Sequence, residues 1–356
     1  MGTIQSIQYP WMADGATIGV TAPSSGVDPA AHGLLEQVSE RLGARGFIVK
    51  YGATTYTQNK AKSAPAAVRA QEFNTMIQDT GVDLIIPPWG GELLIEMVDQ
   101  VDFDHLPAKW VLGYSDLSVL LLAITLKTGI ATAHGTNIVD LRGEAPDETT
   151  AMWQTVLSTK AGESCVQRSS LHYQKDWVND NPNVFNLTEP TYWRKVLPSG
   201  EIESPGGESD GRFSGKTVMR GRMLAGCIDV VRHLIGTPYG DVRQFREQYI
   251  PGEPVVWVLE NCELNTADVR RSLVQMKLAG WFENCSGILF GRSPANKPVE
   301  NYTIDDVYSD LAAELGLPII VDIDCGHVPP QITLINGAYA EIEVEAGKGT
   351  VKQSFV

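Results

Sequence analysis

The sequence predicts an α/β protein: a mostly parallel sheet flanked by helices, followed by a second, C-terminal α/β domain. Three observations carry this expectation. Strand-like and helix-like segments alternate through the first part of the chain, a polar stretch interrupts them, and the alternation then resumes. At 356 residues the chain also exceeds the usual size of one domain. The composition shifts divide it into residues 1–160, a connection over 161–210, and residues 211–356.

Each element has its own signal. "ATIGVTAPSS" (16–25) reads as a strand ending in a Pro/Ser turn, 30–46 as a helix closing on Gly46, and "FIVKYG" as a second strand. Residues 64–81 follow as a helix with Pro65 in its first turn, and "VDLIIPPWGG" (82–91) as a buried strand ending in a glycine pair. "WVLGYSD" then leads into another helix. The 161–210 stretch is rich in Asn, Pro, Ser and Gly and carries Trp177, Phe185, Tyr192 and Trp193. Beyond it, "GKTVMRGRML" reads as a strand, "AGCIDVVRHLIG" as a helix, "EPVVWVLENCE" as a strand and 265–284 as a capped helix. "CSGILFGR", "TIDDVYSDLAAELG" and "PIIVDIDCGH" continue as strand, helix and strand.

Composition excludes several functions. With 43% hydrophobic and 20% charged residues the chain has ordinary globular character, and 28 Lys and Arg against 43 Asp and Glu give a net charge of −15. That charge repels nucleic acid polymers and anionic lipid surfaces, so neither is an expected partner. The five cysteines are scattered, form no CxxC pair and read as packing residues in a reducing compartment. No basic segment followed by an apolar one opens the sequence, and no apolar run is long enough to span a bilayer, which predicts a cytoplasmic protein.

The chemistry centres on Gly113-Tyr114-Ser115-Asp116. Serine needs a base to take its proton and donors to stabilise the oxyanion that forms. A tight strand-to-helix corner exposes the hydroxyl and points backbone N–H groups at the developing charge. The fifth residue is Leu117 rather than the glycine of a G-x-S-x-G elbow, and taken alone Ser115 with Asp116 reads more readily as a helix cap. Two partners stand at comparable strand exits. Glu260 ends the apolar run Val255 to Leu259, and His327 follows the run from Pro318 to Gly326. Ser, Glu, His is the chain order of α/β-hydrolase triads, although geometry defines a triad. A metal set of Asp322, Asp324, Cys325 and His327 is disfavoured, because neighbours in one strand alternate faces and no HExxH or CxxC pair completes it.

These residues resemble the serine peptidases of the LD-carboxypeptidase family, which includes the microcin C self-immunity peptidases. The likeness runs through Thr17 to Ser25, Ser63-Ala64-Pro65 with Arg69-Ala70, Gly90-Gly91, Gly113 to Asp116, Leu259-Glu260, Gly291-Arg292 and Gly326-His327. It implies a Rossmann-like N-terminal domain, a C-terminal α/β domain and a triad assembled across their junction, commonly in a homodimer. By resemblance Ser115 is the nucleophile, His327 the base and Glu260 its orienting carboxylate, with the oxyanion hole formed by the N–H groups of Gly91 and Asp116. No metal or cofactor is implied. Gly221-Arg222-Met223 stands where the family is expected to carry Gly-Gly-Asn, which places Arg222 near the substrate. Trp177 and Trp193 are the candidates to stack on a planar base.

Chain length and the aromatic connection favour the immunity-like branch, acting on a small peptide or an aminoacyl- or peptidyl-nucleotide. A murein tetrapeptide LD-carboxypeptidase is the alternative within the family. A catalytically silent protein that binds a small molecule in the same cleft is the alternative of another class.

Overall fold

The computed structural model describes residues 4–176, 182–204 and 211–356. Two sheets organise it. The first has six strands, in the order Leu334–Asn336, Thr132–His134, Trp110–Gly113, Leu84–Ile85, Thr17–Val20 and Ile48–Tyr51. All its pairings are parallel except that of Leu334–Asn336 with Thr132–His134. The helices Gly33–Ala44 and Ala66–Gln78 stand within three residues of the predicted ends, and a 3-10 turn over Pro29–Ala31 precedes the first. The predicted strand over 82–91 is paired only at Leu84–Ile85, because Pro87 and Pro88 have no N–H to give to a ladder.

The second sheet has eight strands, in the order Ser164–Arg168, Lys348–Ser354, Tyr339–Glu345, Thr217–Cys227, Val255–Glu260, Cys285–Gly291, Ile319–Ile323 and Arg194–Val196. Its centre is parallel and its margins antiparallel. The helix Ile304–Leu315 behind it is fixed at both ends: Thr303 and Asp306 form a capping box, and Gly316 closes it in the left-handed conformation at φ +64°.

The segment read as a connection does more than link the sheets. Ser164–Arg168 and Arg194–Val196 form the two edges of the second sheet, and His172–Gln174 pairs with Leu187–Pro190 as a separate ribbon. The return crossing of Leu334–Asn336 into the first sheet joins the two halves again. Between the sheets runs the helix Leu117–Thr128, buried from Leu117 to Leu126 on every face. An all-round apolar helix is stable only inside a core, and this one packs against strands of both sheets. Ser115 stands at the junction, just before its first turn.

Candidate active site

Three strand exits converge there. The strand Trp110–Gly113 ends on a corner where Ser115 adopts φ +66°, a left-handed conformation that costs a non-glycine residue of order 1–3 kcal/mol. Neighbouring groups hold it there. A Cβ on Gly90 would lie 2.6 Å from the Ser115 Cβ and 2.7 Å from its Oγ, so the glycine pair abuts the serine directly. Asp116 turns its carboxylate away from the site: its Oδ2 accepts from Ser24 Oγ at 2.5 Å and from the Leu94 N–H at 2.8 Å. Burial raises its pKa to about 6.

Glu260 is the last residue of its strand and 1% exposed. His327 sits beyond the strand Ile319–Ile323, on a turn that Gln331 clamps by accepting from the Gly326 N–H at 2.9 Å and donating back to the Gly326 carbonyl. Gly326 has φ +91°, and a Cβ there would fall 2.5 Å from Glu260 Oε2. Only glycine meets both demands. The Tyr114 ring contacts the imidazole edge-on, at 5.1 Å between centroids.

The side chains join into one chain of hydrogen bonds. His327 Nδ1 lies 2.8 Å from Glu260 Oε2, and His327 Nε2 lies 3.0 Å from Ser115 Oγ. Burial pushes the Glu260 carboxyl up, but the neighbouring His327 outweighs that and holds it below its ordinary value. In His327 burial works downward, and the Glu260 charge, with hydrogen bonds from the ring to Glu260 and Cys262, carries the pKa above that of a free imidazole. An ionised Glu260 accepts from Nδ1–H, which leaves Nε2 of the neutral ring to receive the serine proton.

His327 also lies at the edge of a cavity of about 640 Å³. Its walls include Tyr173, Gln174, Lys175, Tyr192 and Arg292. The Arg292 guanidinium faces the Tyr173 ring 4.6 Å from its centroid.

The structure corrects two expected substrate contacts. Trp193 is fully buried, and its indole Nε1 donates to Asp324 Oδ2 at 3.0 Å, so it packs in the second sheet's core and offers no face to a ligand. Arg222 is paired with Glu253 at 2.6 and 3.0 Å and donates to Tyr9 Oη and to the carbonyls of Gly337 and Val356. It lies five residues before the site end of its strand, roughly 16 Å away. What reaches the site before the next helix is Ala225-Gly226-Cys227, with Cys227 beside Glu260 in the parallel register. The strand therefore runs three residues further than the sequence suggests. Trp177 lies outside the described residues. The disfavoured metal set does not converge either: Asp322 binds Arg194, Asp324 takes Trp193, Ser170 and Arg292, and Cys325 lies against His134.

Comparison with known proteins adds the lineage. Residues 18–135 match the LD-carboxypeptidase N-terminal domain and residues 220–342 the LD-carboxypeptidase C-terminal domain. The chain belongs to the LD-carboxypeptidase family. Among its relatives are a Vibrio cholerae serotype O1 protein named as a carboxypeptidase, 25% identical over 93% of both chains, and the Escherichia coli microcin C7 self-immunity protein MccF, 22% identical over 97% of this chain and 95% of MccF. A Bacillus subtilis protein named as a murein peptide carboxypeptidase is 24% identical over 92% of this chain and 88% of its own. The fold matches that of an inactive MccF mutant with a TM-score of 0.78 at 20% identity, covering 98% of this chain and 99% of that one. It matches the muramoyltetrapeptide carboxypeptidase of Oxalobacter formigenes with 0.69 at 19%, covering 95% and 98%. Among the described residues no helix is long and apolar enough to cross a membrane.

Proposed function

We propose that this LD-carboxypeptidase family member is a serine-type amide hydrolase in which Ser115, His327 and Glu260 form the catalytic triad. The observation that carries the reading is the unbroken link from Ser115 Oγ through both nitrogens of His327 to a buried carboxylate, at 3.0 and 2.8 Å. Ser115 Oγ attacks the scissile carbonyl while His327 Nε2 takes its proton, and Glu260 stabilises the imidazolium that results. The backbone N–H groups of Asp116, at the start of a helix, and of Gly91 face the developing oxyanion. His327 then returns the proton to the leaving amine, and water resolves the acyl-enzyme by the same route. Each step uses only groups of this chain and water.

The substrate of this proposal is a small aminoacyl- or peptidyl-nucleotide. MccF has been solved with glutamyl sulfamoyl guanosine and with aspartyl sulfamoyl adenosine, at a TM-score of 0.77 to this chain in both cases. The cavity beside His327 supports the reading, since Tyr173 and Tyr192 give it aromatic surface and Lys175 a positive charge, while the Arg292 guanidinium in its wall is paired with Asp324. Cleavage of an aminoacyl sulfamoyl adenosine in preference to a murein tetrapeptide is the expected result. The reverse preference assigns the protein to murein turnover, the reading favoured by the Bacillus subtilis relative.

A further inference from the structure

The triad reading leaves a buried thiol unused. Cys227 ends the strand next to that of Glu260, and the two residues are direct partners in the parallel register. It is 1% exposed, with Sγ 3.3 Å from Asp229 Oδ2. Cys227, Glu260 and His327 each offer one donor atom, and the three lie within 4.8 Å of one another. A modest contraction brings such a set to the ligand separations of a tetrahedral ion, and thiolate, imidazole and carboxylate together make a zinc donor set.

A second observation points to a ligand. Glu260 Oε2 is taken by His327, but Glu260 Oε1 is buried with no hydrogen-bond partner among the described residues. A buried carboxylate oxygen left unpaired is costly, and a cation would satisfy it. The approach is open, because the His327 side chain is 18% exposed at the edge of the cavity.

We propose that Cys227, Glu260 and His327 form a binding site for a thiophilic divalent cation of the Zn²⁺ class, and that its occupancy switches the hydrolase off. The inhibitory part rests on the triad reading; the binding part does not. The metal bonds to Cys227 Sγ, to a Glu260 oxygen and to His327 Nδ1. The thiol proton leaves to solvent. The Nδ1 proton of a neutral imidazole is displaced to Nε2, so the ring is bound as its other tautomer. Nε2–H can then only donate toward Ser115 Oγ and has no lone pair to accept its proton. The metal acts here as an inhibitor, and removing it restores the base.

The test uses the full chain and two readouts. Cd²⁺ titration should produce a thiolate-to-metal charge-transfer band that saturates at one equivalent, and Zn²⁺ should slow labelling of the protein by a fluorophosphonate. Cys227→Ser should lose the band and raise the Zn²⁺ concentration for half-inhibition, relative to its own metal-free rate, by at least about tenfold, since even outer partners of metal ligands are worth 10- to 100-fold. Cys165→Ser and Cys285→Ser, which lie outside the site, should keep both responses. A band or a zinc sensitivity that survives in Cys227→Ser overturns the proposal. Should that variant fail to fold, zinc-edge X-ray absorption of the unsubstituted protein replaces it: one sulfur among nitrogen and oxygen ligands is expected, and a shell with no sulfur overturns the site. A chain that takes no fluorophosphonate but still gives the Cys227-dependent band refutes the triad reading and leaves the site standing.

Discussion

Ser115 Oγ and His327 Nε2 lie 3.0 Å apart although 212 positions separate the two residues in sequence. They come from opposite halves of the chain, and each stands on a turn that glycine shapes: Gly90 against Ser115, and Gly326 before His327. The contact therefore depends on how the two sheets are joined as much as on either turn.

Glu260 should set the pH at which the enzyme works. Its charge holds His327 above the ordinary imidazole value, so the base form appears only as the pH rises through that elevated pKa. The rising limb of kcat/KM therefore lies on the alkaline side of an unperturbed histidine, about 6.5. Glu260→Gln removes the charge, lowers the His327 pKa and moves the limb to lower pH, with a lower plateau. A pH–rate profile compares the two, and a limb that does not move contradicts the role given to Glu260.

Gly90 should tolerate no side chain. A methyl group there would overlap Ser115 Cβ and Oγ, and a displacement of about 1 Å at a reacting atom costs roughly 100-fold in rate. Gly90→Ala should lose about that much kcat while keeping a wild-type circular dichroism spectrum. Full turnover in a folded Gly90→Ala protein would count against the placement of Ser115.

Trp193 should matter for stability and not for affinity. Its ring packs on Gly349, where a Cβ would come within 2.1 Å, and its indole satisfies the buried carboxylate of Asp324. Trp193→Ala should destabilise the fold by about 3–5 kcal/mol in denaturant melts, with KM unchanged in the fraction that remains folded.

Tyr173 takes the opposite part. As the aromatic wall of the cavity beside His327 it should raise KM for an aminoacyl sulfamoyl adenosine when replaced by alanine. Base stacking contributes about 1–3 kcal/mol, or roughly 5- to 150-fold in affinity. Steady-state kinetics on a peptide without a nucleotide should show little change, and an equal loss on both substrates would remove the support this wall gives to a nucleotide substrate.

Much of this arrangement was legible in the sequence, because buried parallel strands read as apolar runs and their ends mark where side chains emerge. Ser115, Glu260 and His327 were all readable as strand exits, and the structure brings them into contact. The edges of the second sheet were not legible. Ser164–Arg168 and Arg194–Val196 are short and polar, and only their partners make them strands. Arg222 was misplaced for a different reason. The match to the family's Gly-Gly-Asn position put Arg222 near the substrate, but the strand continues from Thr217 to Cys227 and its exit lies five residues beyond Arg222. Gln331 gave no signal, since its function is to clamp the backbone of Gly326 from a loop.

The central claim is that Ser115 is an activated nucleophile. The most direct measurement is mass spectrometry of the protein after treatment with a fluorophosphonate, read together with kcat for Ser115→Ala and His327→Ala. A single adduct on Ser115 in the wild type, none in His327→Ala, and a fall in kcat of roughly 10⁴-fold or more in each variant are the expected results. An adduct elsewhere, or wild-type turnover in Ser115→Ala, would contradict it.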